Sequence, residues 1–130
     1  MTTLPDLHDG FFDGVWLSSD KRARLFVRSV AGERSTIILT DVEALNICGL
    51  RAGNVIFGVV LIAPDNLTAK DIEQAYDLKS GQVEVARQLL RKAQEQGLSG
   101  LEINPSYGAE GTAIFRAVAT VPEHVLARDR

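Results

Sequence analysis

Ala52-Gly53-Asn54-Val55-Ile56-Phe57-Gly58-Val59-Val60-Leu61-Ile62-Ala63-Pro64 is the longest run of the chain without a charged side chain, thirteen residues in all. A helix that crosses a bilayer needs about twenty mostly apolar residues, so this run is too short and carries glycine besides. Read as extended chain, Val55, Phe57, Val59 and Leu61 share one face and Ile56, Gly58, Val60 and Ile62 share the other. Apolar character on both faces predicts a strand near the middle of a sheet, with something packed on each side. Leu50 to Asn54 forms the turn into it, and Ala63-Pro64-Asp65-Asn66 ends it.

Upstream the pattern stays extended. Phe11 to Leu17 and Ala23 to Val30 alternate with period two around the polar turn Ser18-Ser19-Asp20-Lys21, which is the hairpin signature. In the first strand Phe12, Gly14 and Trp16 point one way and Phe11, Val15 and Leu17 the other. A turn at Ala31 to Arg34 returns the chain through Thr36 to Leu39, giving a three-strand meander. Asp41 to Leu50 fits both a short helical turn and a bulged strand; the preferred reading is a strand over Ala44 to Cys48 with an irregular approach at Asp41-Val42-Glu43.

Downstream the period changes. Thr68 with Asp71 forms a capping-box-like pair before the short stripe Ile72, Ala75 and Tyr76. Lys79-Ser80-Gly81 interrupts, and a second helix runs from about Val83 to Gln96 with Val83, Ala86, Leu89, Leu90 and Ala93 as its stripe and Gly97 closing it. Extended chain resumes at Gly100 to Asn104, turns through Pro105 to Gly111, and ends in a final strand from Thr112 to Thr120, with a fraying tail from Val121. The predicted fold is a single α+β domain over residues 1–130: a mostly antiparallel sheet with two helices inserted before the last strands. Its core candidates are Phe12, Trp16, Leu25, Val27, Ile38, Ile47, Phe57, Val59, Leu61, Ile72, Tyr76, Ala86, Leu89, Leu90, Ile103 and Phe115.

A chain of 130 residues buries enough surface for a core without metal or disulfide staples. Its net charge of -3 argues against a phosphate-tracking surface and hence against nucleic acid. One cysteine excludes an internal disulfide, and with no export signal or membrane span the expected compartment is the cytoplasm. Catalytic machinery is equally sparse. Cys48 reads as a small core hydrophobe, and Ser18, Ser19 and Ser106 lack a nucleophile elbow. Glu102 and Glu110 flank the last turn without a shaped cleft to make them an acid and base. His8, Asp9, His124 and Cys48 do not have the spacing of a metal site, so neither metal nor cofactor is expected; His8 and Asp9 read as a hydrogen-bonding cap on a sheet edge, and His124 as solvated. Arg24 and Arg28 share a strand face with Phe26 in a small mixed patch.

Two segments set polar groups beside large apolar ones: Leu7-His8-Asp9-Gly10, and Asn104-Pro105-Ser106-Tyr107-Gly108-Ala109-Glu110. Asn104 and Pro105 fix a turn that either presents Tyr107 for recognition, with Glu110 as a polar rim, or buries it as a latch between strands. The LHDG start before a meander, with INPSYGA leading to the terminal strand, resembles small bacterial α+β domains of unassigned function over roughly Leu4 to Val118. The N-terminal half is similar to some contact-toxin immunity proteins. That resemblance implies a bacterial cytosolic binding protein and supplies no catalytic set. The expected function is therefore a non-catalytic interaction module, immunity-like, whose partner is another protein or its own second copy. The alternative is a small-ligand enzyme or sensor using His8, Asp9, Tyr107 and Glu110.

Overall fold

The structure, a computed structural model, describes residues 4–123. Among them, eight strands pair antiparallel throughout: β1 (Phe11–Leu17), β2 (Ala23–Arg28), β3 (Arg34–Thr40), β4 (Ala44–Cys48), β5 (Asn54–Ile62), β6 (Ser99–Tyr107), β7 (Glu110–Phe115) and β8 (Ala117–Pro122). Their order is β4-β7-β6-β5-β1-β2-β3-β8. Helices α1 (Ala69–Tyr76) and α2 (Val83–Glu95) follow β5 and precede β6. This is the α+β architecture the sequence predicts.

The order hides a corner. β4 lies at one end of the sheet and β3 next to the other end, yet three residues join them, and β7 and β8, likewise far apart, are joined by Arg116 alone. Thr40 pairs with Ala117 and Ala44 with Ile114, so residues 34–48 and 110–122 form one long ribbon that bends in the middle. At the bend the Arg116 N–H donates to the Thr40 carbonyl (3.0 Å), the Glu43 N–H to that of Ile114 (2.8 Å), and Asp41 takes a left-handed φ of 53°. Strands that bend from one sheet into the next are how corners are made in packed sheets. The result is two four-stranded halves, β1-β2-β3-β8 and β4-β7-β6-β5. They are stitched on the other side by only two pairs, Phe11 with Val55 and Phe12 with Asn54.

Between the halves lies the main core. Phe12, Leu25, Val27, Ile37 and Leu39 come from one half and Ile56, Leu101, Ile103, Ala113 and Phe115 from the other. Each large side chain removed from water contributes about 1.5–3 kcal/mol. A second cluster joins Ile72, Ala75, Ala86 and Ala93 of the helices to Ile114 of β7, with Ala44 and Ile62 packed against it. The helices therefore cover the outside of the β4-β7 half. Thr68 and Asp71 form the reciprocal capping box, and α2 closes with the Leu98 N–H on the Ala93 carbonyl (2.9 Å). The helices are separate, broken after Asp77 at φ 54°.

Several expectations need correction. Double coverage belongs to β7, buried from Gly111 to Phe115, because the helices sit on its outer face; β5 instead exposes Phe57 and Val60. Trp16 and Phe57, expected in the core, are 56% and 59% exposed. A bulge between Phe12 and Gly14 gives Asp13 no partner and resets the alternation, so that Phe12 and Val15 face inward and Trp16 faces out. Phe57 lies at an irregularity of β5 against β6. Cys48, at the end of an edge strand, is exposed, and Val83 is exposed at the start of α2. The last strand is two strands, and Val121 and Pro122 belong to β8. His124 lies outside the described residues.

Candidate functional site

Both polar segments attach to the same few residues of β5. From the β1 side, the Asp9 N–H donates to the Ile56 carbonyl and the Ile56 N–H to that of Gly10, both at 2.9 Å. His8 Nδ1–H donates to the Phe57 carbonyl at 2.8 Å while its ring meets Phe57 edge-on. That bond, with Asp9 Oδ2 3.5 Å from Nε2, raises the His8 imidazole above its ordinary pKa. From the β6 side, Val55 pairs with Tyr107, Ile56 with Pro105 and Gly58 with Asn104. Tyr107 is 55% exposed.

What latches this region is a residue the sequence reading passed over. Asn54 is buried, and its amide oxygen accepts from the N–H groups of Arg51 (2.7 Å) and Ala109 (3.0 Å). Its Nδ2 donates to the carbonyls of Arg51 (2.7 Å) and Phe12 (3.2 Å). All four hydrogen-bonding capacities of the amide are used. One side chain thus ties the turn before β5, the turn after β6 and strand β1. Gly108 passes over it at φ 88°, where a Cβ would lie 2.3 Å from Asn54 Oδ1. The signal available was an asparagine inside an otherwise apolar run, and its partners lie up to 55 residues away.

Glu110 falls elsewhere. It pairs with Cys48 across β4 and β7 and lines a cleft of about 320 Å³ beside α1, with Asn46, Lys70, Gln74 and Thr112. There Cys48 Sγ donates to Asn46 Oδ1 (3.3 Å) and Asn46 Nδ2 to the Gln74 carbonyl (2.7 Å). Among the described residues, no hydrogen bond or ion pair joins His8 or Asp9 to Asn104, Tyr107 or Glu110, and no three metal-ligating side chains gather. No helix among them is long and apolar enough to cross a membrane.

The outer face of the β1-β2-β3-β8 half is the larger feature. Register places its outward side chains in rows: Phe11, Arg28 and Arg34; then Gly14, Phe26, Thr36 and Val121; then Trp16, Arg24, Ile38 and Ala119. The first row continues across β5 and β6 as Val55 and Tyr107. Arg28 lies 4.5 Å from the Phe11 ring centroid and forks onto Asp13 at 2.6 and 3.0 Å; Arg24 lies 4.9 Å from that of Trp16. Around Phe26 opens a groove of about 610 Å³ lined by Asp13, Arg28, Arg34, Thr36 and Glu123. Among the described residues, none of these four strands contributes to the cluster formed by α1 and α2. The sequence reading recognised Arg24, Phe26 and Arg28 as one face and missed Phe11 and Trp16 beside them.

No protein-family model matches the chain, and comparison with curated proteins and with solved structures finds no significant match.

Proposed function

We propose that the protein is a non-catalytic protein-interaction module that docks its partner on the outer face of β1, β2, β3 and β8. One observation carries the reading: aromatic and arginine side chains project outward from a sheet half on which neither α1 nor α2 packs. The solvated face of an antiparallel sheet ordinarily carries polar side chains at alternate positions. Here those positions hold Phe11, Trp16, Phe26 and Ile38 with Arg24 and Arg28 among them. Trp, Tyr and Arg dominate binding hot spots because they combine large contact area with directed polar groups. Exposed Tyr107 extends the surface along its first row, which brings the INPSYGA turn into the same reading. Protection against a contact toxin, the role implied by the family resemblance, is one form such a module takes.

Affinity capture from the native host with wild type, Trp16→Ala, Phe26→Ser and Tyr107→Ala, alongside thermal melts, tests the proposal. The first two variants keep the wild-type melting temperature within a few degrees and lose the captured protein. Undiminished capture by both overturns the docking face.

A further inference from the structure

We infer that the segment recognised on this face is an extended acidic peptide of the partner with a large apolar or aromatic residue at its centre, an inference that rests on the interaction-module reading above. The first ground is which charges are already spent. Arg28 is held in a bidentate pair with Asp13, which leaves it little attraction for a further anion. Arg34 meets Glu123 through one 3.5 Å contact between exposed side chains, a pair of small worth that solvent and salt screen. Arg24 has no carboxylate partner among the described residues; its guanidinium rests by Trp16. Among the described residues, Arg24 and Arg34 are thus the cations of this face open to a ligand, and Phe26 stands between them.

Spacing supplies the second ground. Neighbouring rows are two residues apart along a strand, about 7 Å, so the rows of Arg24 and Arg34 are separated by roughly 14 Å. An extended peptide advances about 3.4 Å per residue and turns every second side chain to the same side. Four residues therefore span the distance, and positions i, i+2 and i+4 all face the sheet. The pattern that fits is acid, any residue, apolar, any residue, acid: the outer carboxylates reach Arg24 and Arg34, and the middle side chain lies on Phe26 in the groove.

Other occupants fit less well. Single-stranded nucleic acid needs open aromatic platforms along a basic track, whereas Phe11 and Trp16 already carry guanidiniums and Asp13 and Glu123 interrupt the track. A second copy laid face to face about Phe26 sets arginine against arginine, since Arg24 and Arg28 flank Phe26 on β2.

Trp16 is the chain's single tryptophan, so intrinsic fluorescence reports on the face directly. The probe is a synthetic peptide of sequence Glu-Thr-Tyr-Thr-Glu flanked by Gly-Ser. Controls are the same peptide with lysine for glutamate, a scrambled Glu-Glu-Thr-Thr-Tyr peptide, and oligothymidylate. A saturable change with the first peptide is expected, weakened about tenfold or more in Arg24→Glu and in Phe26→Ser and diminished by salt. Arg24→Gln replaces Arg24→Glu if the reversed charge lowers the melting temperature. Absence of a saturable change overturns the inference, as does equal binding of the lysine or scrambled peptide or undiminished binding by the arginine variant. Tighter binding of oligothymidylate, or a solution dimer that shields Trp16, assigns the face to another occupant and overturns it too. If Trp16→Ala and Phe26→Ser abolish natural capture while the acidic peptide does nothing, the docking face stands and the acidic segment alone falls.

Discussion

Asn54 concentrates more long-range structure than any other polar side chain described. Removing its amide in Asn54→Ala orphans the buried Ala109 N–H, the Phe12 carbonyl and both the N–H and the carbonyl of Arg51, and each such group left buried costs about 1–3 kcal/mol. A loss of at least about 2 kcal/mol in denaturant unfolding is expected. Gly108→Ala should destabilise comparably, through both its left-handed φ and the collision with Asn54; wild-type stability in both variants would show that the amide is not the tie. His8 gives a pH signature. Because its folded pKa is raised, first by the Phe57 carbonyl and then by Asp9, the stabilisation is fully present below the unfolded pKa and is lost as pH rises through the folded one. Imidazole NMR titration should place the native His8 midpoint above that of the denatured chain, and an equal or lower midpoint refutes the bond. Sequence made His8, Asp9 and Tyr107 visible because polar groups beside large apolar ones stand out locally. Asn54 stayed hidden because an asparagine in a turn has an ordinary local explanation, and its partners are brought to it only by folding.

Period two and period 3.6 were legible at the scale of elements because they are local properties of the chain: β4 from Ala44 to Cys48, the capping box at Thr68 and the break between the helices all stand as read. What alternation cannot carry through is a bulge. One unpaired residue, Asp13, moves Trp16 from the expected core to the outer face, and with it the candidate site changes place. Arg116 is the same kind of event, a single residue dividing one apparent strand into two that serve different halves of the sheet. The helices allow a graded test. Ile72 is fully buried in the cluster on β7, whereas Leu89 is only partly buried against it. Ile72→Ala should cost about 2–5 kcal/mol, and Leu89→Ala less, about 1–2 kcal/mol in proportion to the smaller area it hides. Denaturant unfolding of the two variants measures this, and a larger loss for Leu89 would mean that the register of α2 on the sheet is wrong.

Across the whole molecule, the two sheet halves differ in dress but are joined by one bent ribbon. Helices cover the β4-β7 half, while the β1-β2-β3-β8 half presents Trp16 and Phe26. Direct pairing between the halves is confined to two residue pairs, which taken alone would let them open separately. The bent ribbon opposes that. β3 runs into β4 and β7 into β8 while paired to each other, and Phe115, fully buried beside the bend, packs into the core common to both halves. Unfolding one half therefore strips the inner face of the other, so the protein should unfold in a single cooperative transition. Trp16 reports on one half and far-UV circular dichroism is weighted to the helices on the other. Their denaturant curves should coincide in wild type, and should still coincide at a lower midpoint in Phe115→Ala, with a loss of about 3–5 kcal/mol. A tryptophan transition separated from the helical one in wild type would show that the corner does not couple the halves, and that the half carrying Trp16 can melt while the helical half stays folded.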